Sequence, residues 1–404
     1  MSGAGDAPER QTEDAASVTV TGRIADITAA DWDRLANPDP ARFNPFVTHA
    51  FLSALEDAGC VGDGTGWHPR HLVLAEGHHI TGVMPTYFKT HSQGEYVFDH
   101  AWADAIHRAG GRYYPKLQCA VPFTPVPGPR LMVAPGDGEE EKRTWLTAAA
   151  LEVATRAGAS SLHATFLDEA TWRWLGQHGF LLRTGQQFHF ANPGYATFDD
   201  FLSSLASRKR KMLRRERAEA LSAGLTIRHA TGRDITETDW DAFFAFYMDT
   251  GDRKWGRPYL NRRFFSLLGE RMAERCLLIL AERNGRPIAG ALNLIGGDCL
   301  YGRYWGAVEH HPFLHFELCY YQAIEFAIAH GLPRVEAGAQ GEHKLVRGYE
   351  PVTTYSAHKL FDPALEKAVA RYLDHEREMI AEVNAELMGQ TPFRKDLKAP
   401  PDET

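Results

Sequence analysis

Ionisable groups crowd into one short reach of the chain. From Pro312 to Tyr349 it reads PFLHFELCYYQAIEFAIAHGLPRVEAGAQGEHKLVRGY. Leu314, Leu318, Tyr321, Ile324 and Ile328 recur at helical spacing, and Gly331-Leu332-Pro333 ends the helix they predict. Glu317 and Glu325 fall within that apolar stripe, where a carboxylate is costly unless it is paired or used. A strand follows. At period two, Glu336, Gly338 and Gln340 share one face, and Val335, Ala337 and Ala339 the other. The loop after it sets Gly341, Glu342, His343 and Lys344 side by side, which gives backbone freedom, an acid, an imidazole and an ammonium. Chemistry at an amine or hydroxyl needs a base that titrates near neutrality, and His343 or a partly buried Glu317 or Glu336 has that property. A second reading stands beside it: Glu317 and Glu336 pair with Arg303, Arg334 or Arg347 in a structural ion network.

Three further groups carry chemistry. The run Arg208-Lys209-Arg210-Lys211 continues through Arg214, Arg215 and Arg217 on a predicted helix of an otherwise acidic chain. Convergent cations suit a phosphorylated donor or an RNA end, and the alternative is a solvated helix face. His311 and His315 have the spacing of two metal ligands on one helical face, with His310 and Glu317 nearby. Pro312 argues against a helix that spans them, no HExxH motif occurs, and no metal site is expected. In the first half, Glu95, Asp99, Trp102, Lys116 and Arg130 fall near predicted strand ends, where they either line a substrate cleft or serve packing and capping.

The elements that must position these groups fill a chain of 404 residues, too long for one ordinary core. Residues 1–16 are small and polar and are expected to be disordered. A first domain is expected over 17–193, a second over 194–390 and a flexible tail over 391–404, with the boundary at Ala191-Asn192-Pro193-Gly194. The halves share a pattern of hairpin, further strand, long helix, strand and closing strand. His71–Glu76 with 80–89 is one hairpin; 277–283 with 287–295 is the other, turned by Asn284-Gly285. Gly94–Asp99 reads as a short strand. Hairpins followed by β-α-β predict a duplicated α/β domain with mixed sheets and helices on their faces.

Composition removes several classes of function. Net charge is -8, so no global basic field points to DNA. The five cysteines are scattered, odd in number and free of CxxC spacing, which suits a reducing compartment and a cytoplasmic location. No basic stretch followed by an apolar core opens the chain, and no apolar run nears the roughly 20 residues of a membrane helix, so neither a leader nor membrane insertion is expected. GxGxxG after the first strand, GxxxxGK[ST] and GxSxG are all missing, which speaks against nucleotide cofactors bound in those ways and against a serine nucleophile elbow.

At GEYVFDHAW, YYPKLQCAVPFTPVPGPRL, SRKRKMLRRER, IAGALNLIGG, LYGRYWGA and HFELCYYQAIEFAIAHGL with VEAGAQGEHKLVRGY, the sequence resembles the FemAB-like predicted N-acyltransferases of the GNAT superfamily, from about Asp31 to Met388. The resemblance implies tandem GNAT-like domains and transfer of an acyl or aminoacyl group to an amine. The chain departs from acetyl-CoA-using GNAT enzymes, because the turn into the helix is Val308-Glu309-His310-His311-Pro312-Phe313-Leu314 and not their pyrophosphate loop. It also lacks the coiled-coil insertion of some Fem aminoacyltransferases.

The expectation is therefore an acyltransferase, with acyl-CoA as co-substrate, acting on a small-molecule or peptide amine in an interdomain cleft. Glu317, Glu336 and His343 are its candidate bases. Arg303, Tyr304, Trp305, Gln340, Glu342, Glu95, Asp99 and Lys116 are its candidate acceptor site. Lys209, Arg210, Gly338, Gly341, Lys344 and Arg347 are its candidate donor site, with backbone amides near Gly338 and Gly341 for the oxyanion. The alternatives are a ligase that takes charged tRNA and a degenerate scaffold that binds without turnover.

Overall fold

The structure, a computed structural model, describes residues 16–254, 258–338 and 341–394. The side chains of 252–254 and 342 fall outside that set. Gln340, the side chain of Glu342 and the expected disordered segment up to residue 15 therefore lie outside the described residues.

Among the described residues the strands are β1 (Ala16–Thr21), β2 (Trp67–Pro69), β3 (His71–Glu76), β4 (His79–Met84), β5 (Thr86–Lys89), β6 (Lys116–Cys119), β7 (Met132–Val133), β8 (Ser161–Leu167) and β9 (Leu181–Ala191), then β10 (Thr226–Thr231), β11 (Cys276–Arg283), β12 (Arg286–Ile295), β13 (Cys299–Ala307), β14 (Arg334–Glu336) and β15 (Glu350–Leu360). Four form a small sheet ordered β1-β3-β4-β7, and eleven form one sheet ordered β10-β11-β12-β13-β14-β9-β15-β8-β6-β5-β2. Two of its pairs are parallel, β6 with β8 and β13 with β14. Each is bridged by a helix, Glu139–Arg156 in the first half and Gln322–Ala329 in the second, so the duplication is visible in the backbone.

The sheet does not stop where the sequence suggested a boundary. β15 inserts between β9 and β8, and the helix Pro363–Gly389 packs on β9 and β15. Residues expected in the second domain thus complete the sheet of the first half. β9 is paired on both edges, by β14 and by β15, and this removes an exposed edge from each half. One apolar cluster also joins the halves. Phe46 meets Tyr301 at a ring distance of 5.3 Å, and Phe51 meets Phe264 at 5.8 Å.

Local chemistry explains the joints. Asn284 and Gly285 both take positive φ, 53° and 76°, the geometry of a two-residue hairpin turn between β11 and β12. Gly94–Asp99 is a loop and not a strand, because Glu95 and Asp99 turn inward to the buried Lys116 amine. The helix expected from Leu314 to Ile328 has a wide π turn at Glu317–Tyr321 between two α segments, a feature frequent at functional sites. Gly306 on β13 lies so close to the Phe246 carbonyl that an added Cβ would overlap it. Gly306→Ala should therefore cost about 1–3 kcal/mol by overpacking, read as a lowered midpoint in thermal unfolding.

Candidate active site

The site begins where two parallel strands part. β13 and β14 pair only at Cys299–Tyr301 with Arg334–Glu336. Beyond Tyr301 the β12–β13 register slips by one residue at Arg303, since Asn293 faces Gly302 and Leu292 faces Tyr304. A bulge of this kind re-aims side chains, and here it turns Arg303 and Tyr304 toward the first half. The Arg303 guanidinium donates to the Phe123 carbonyl at 3.0 Å, and the Tyr304 hydroxyl donates to the same oxygen at 3.3 Å. Phe123 itself sits at φ 58°, a strained conformation for a bulky residue.

β14 ends at Glu336, so the parting strands leave a notch of about 100 Å³ lined by Asn293, Tyr304, Trp305, His315, Tyr320 and Ala337 among others. A second, larger cavity measures about 390 Å³. Residues of β9 and β15 form its floor, loop 96–98 and Glu376 wall it, and Gly341 closes one end. Partner residues on antiparallel strands share a face. The register pairs Glu336 with His189, Gln187 with Val352, Gly185 with Thr354 and Arg183 with Ser356. Glu336, His189, Gln187 and Arg183 thus form a row along one face of the sheet; Gln187 and Arg183 line the cavity, and His189 and the buried Glu336 lie beyond its lining.

Glu336 is the chemically exceptional member of this row. It is 4% exposed, and its Oε2 is buried without a hydrogen-bond partner. Arg334 Nε lies 4.0 Å from Oε1, and His189 Nε2 lies 4.0 Å from Oε2. Burial raises the carboxyl to about 7, against the pull of Arg334 and Arg303. Burial also lowers the His189 imidazole to about 3, with Arg334 and Lys344 adding to the effect, so the ring is neutral. His189 Nε2 contacts Gln187 Oε1 at 3.1 Å, and because an amide oxygen only accepts, Nε2 carries the proton. Lys344 Nζ donates to the Gly338 carbonyl at 2.9 Å, and burial lowers its ammonium to about 8. His343 is exposed, and its Nε2 meets the Tyr320 hydroxyl at 2.9 Å on the notch side.

Other candidates stand elsewhere. Glu317 is fully buried and accepts from Arg217 Nε at 3.0 Å, from the Arg217 terminal amine at 2.8 Å and from Gln322 Nε2 at 2.7 Å. The ion-network reading describes it, with a partner the spacing did not reveal. Arg347 donates to both Glu216 oxygens at 2.9 Å and to the Tyr321 hydroxyl at 3.1 Å, and its guanidinium covers the Phe316 ring, so it is committed internally instead of facing a donor phosphate. The basic helix Ser207–Ala220 is therefore split. Glu216 and Arg217 face inward; Arg208, Lys211, Arg214 and Arg215 are exposed, and Lys209 and Arg210 are half-buried.

Glu95, Asp99 and Lys116 are internal and do not line the cavity. Lys116 Nζ donates to Glu95 Oε2 at 2.7 Å, to Ser92 Oγ at 3.0 Å and to Asp99 Oδ2. Arg130 is spent on the Thr165 and Val126 carbonyls. His311 meets Glu309 at 3.2 Å, and no group of three or more His, Cys, Asp or Glu able to hold a metal ion occurs among the described residues. Among the same residues no helix is long and apolar enough to cross a membrane. Residues of the row that spacing missed are Gln187, His189 and Arg183. Their signal was present, since Gln187 and His189 alternate with the buried Phe188 and Phe190.

No curated protein sequence matches the chain. The crystal structure of FemX is similar over 85% of this chain and 98% of its own, at 14% identity and a TM-score of 0.52, a likeness of fold. L-PGS from Bacillus licheniformis (11% identity, 82% and 98% coverage, TM-score 0.48) and a tandem GNAT protein from the clavulanic acid biosynthesis pathway (12%, 86% and 99%, 0.45) are also similar. The likeness to FemX is thus one of an α/β fold with mixed sheets. A family model described as peptidoglycan biosynthesis/recognition matches residues 23–395, which takes in both halves, the splayed strands and the row of polar side chains between them, and the chain belongs to that FemAB-like family.

Proposed function

We propose that this chain transfers an acyl or aminoacyl group to an amine. The observation that carries this reading is Glu336, a buried carboxyl raised to about 7 with one oxygen unpartnered, on the same sheet face as the cavity-lining Gln187 and Arg183. The acceptor amine, on a small molecule or a peptide, enters the larger cavity. The donor carbonyl reaches Ala337 and Gly338 through the notch, on the side of Tyr304, Trp305 and His343. Glu336 takes the amine proton as the nitrogen attacks, a C–N bond forms, and the C–S or C–O bond to the donor breaks. The proton then passes from Glu336 to the departing thiolate or alkoxide. Lys344, held against Gly338, fixes the strand end and supplies positive charge where the oxyanion develops.

A second reading of the donor rests on a specific observation. The exposed cations Arg208, Lys211, Arg214 and Arg215, with Lys209 and Arg210 beside them, suit a polyanion such as charged tRNA. Segment 308–314 offers acyl-CoA no glycine-rich cradle. Incubation with acyl-CoA pools or with aminoacyl-tRNA, each with a mixture of amines, separates the two by mass spectrometry. A time-dependent N-acyl product from one donor identifies it, and no product from either would favour a scaffold that only binds. If tRNA is the donor, reversing the charge of Lys209 and Arg210 together should weaken its binding about tenfold or more at moderate salt. Unchanged affinity in a filter-binding titration would exclude the helix from the contact.

A further inference from the structure

A chain of hydrogen bonds runs from the cavity wall into the first half. Ser356 lines the cavity. Its Oγ meets His358 Nε2 at 3.0 Å, and His358 Nδ1 meets His163 Nδ1 at 2.7 Å. His163 Nε2 meets Ser161 Oγ at 2.7 Å and the Tyr113 hydroxyl at 3.3 Å. All five of these residues are at most 4% exposed.

Two fixed points give the chain a direction. At one, the Ser160 hydroxyl donates to the Tyr113 carbonyl, an acceptor only. Its single proton is spent, so in the Ser160–Ser161 contact at 3.1 Å Ser161 is the donor. Ser161 then has no proton for His163, and His163 Nε2 must donate to it. At the other, the Tyr113 hydroxyl donates to Asp99 Oδ2 at 2.7 Å. Its oxygen can therefore only accept from His163 Nε2, which gives the same answer. Burial makes both imidazoles neutral: it lowers His163 to about 3 and His358 far below its ordinary value, with His163 as a further cause for the latter. A neutral His163 with its proton on Nε2 accepts at Nδ1. His358 therefore carries its proton on Nδ1, and its Nε2 accepts from the Ser356 hydroxyl.

We propose that this relay makes Ser356 an acceptor-only group in the cavity wall, a specificity-determining residue that takes an N–H of the amine substrate. The proposal rests on the reading that the cavity receives the acceptor amine. An amine or ammonium presents N–H donors to the Ser356 oxygen, and a fully alkylated nitrogen presents none. Arg183, the cavity cation paired across from Ser356, is spent on Glu376 at 2.7 and 2.8 Å and on the Phe98 carbonyl at 2.8 Å, so it does not compete for that oxygen.

Imidazole nitrogen NMR of the full chain reads the relay without any turnover, with His163→Gln and His358→Gln to assign the signals. The expected pattern is a proton on Nε2 of His163 and on Nδ1 of His358. The reverse pattern overturns the proposal. Methylammonium and tetramethylammonium then serve as probes. Methylammonium should shift the His358 Nε2 signal saturably and tetramethylammonium should not, and Ser356→Ala should erase the difference while leaving the His163 signals in place. Equal shifts from both probes, or none from either, contradict it. If no donor yields a product yet the tautomers and the selectivity hold, the transferase reading fails and the recognition of an N–H donor stands.

Discussion

Glu336→Gln should abolish transfer and at the same time make the fold more stable in mild alkali. The side chains are nearly isosteric, so packing between β13 and β9 is kept. The amide cannot take a proton, and the loss of a positioned general base typically costs about 10²–10⁴-fold in rate. The stability effect has a definite sign. Burial raises the Glu336 carboxyl from 4.5 to about 7 in the folded chain, so folding favours its protonated form. That contribution is fully present below the unfolded value and is lost as pH rises through about 7. Above that pH the buried charge costs on the order of 3 kcal/mol at about 1.4 kcal/mol per pH unit, a cost the glutamine does not carry. Urea unfolding at pH 5 and at pH 8.5 checks this. The variant should match the wild type at the lower pH and exceed it at the higher. A variant less stable at pH 8.5 would mean that Arg334 and Arg303 hold Glu336 as a structural ion.

Lys116→Met should be the most damaging single change in the first half. Lys116 is fully buried, and it neutralises two carboxylates that are themselves 3–4% exposed. Lys89 remains, but it lies 3.7 Å from Glu95 and is shared with the Trp67 ring, so it cannot replace the direct contacts. Removing one partner of a buried ion cluster costs about 3–5 kcal/mol. Burial pushes the Asp99 carboxyl up, but Lys116 and His163 hold it well below the usual range, and its stabilisation is present above the unfolded value and lost as pH falls. In the variant Asp99 is left charged and poorly paired at neutral pH, while Glu95, which burial raises to about 7 even beside Lys116, is pushed further toward its neutral form. The deficit should be largest near pH 7 and shrink toward pH 4 as the carboxyls protonate. Denaturation midpoints at the two pH values measure this, and adding Glu95→Gln and Asp99→Asn should recover much of the loss. A pH-independent deficit would point to lost packing instead.

These two carboxylate sites show what the sequence could and could not carry. The Asn284-Gly285 hairpin, the β8–helix–β9 unit and the duplicated pattern follow from turn chemistry and periodicity, which act within about a dozen residues. The insertion of β15 between β8 and β9 does not, because strand order is decided by pairing across nearly two hundred residues of chain. The same holds for ion partners. Glu317 stood out correctly as a carboxylate on an apolar face, but its partner Arg217 comes from a helix that read as a phosphate site. Glu336 stood out by strand alternation, and its unpartnered oxygen is a property of where β14 stops. Glu95, Asp99 and Lys116 were legible as a polar group and illegible as an interior one, since only tertiary packing brings the loop at 92–99 against β6.

The measurement that bears most directly on the transferase reading is the rate of N-acylated product against pH at subsaturating amine, once the donor is identified. With Glu336 as the base near 7, the rate should rise about tenfold per pH unit below that value and level off above it. The rise should vanish in Glu336→Gln and persist in Glu317→Gln, whose carboxylate the account places in an ion pair. A profile that is flat between pH 5 and 8, or one that Glu336→Gln leaves unchanged, would contradict it.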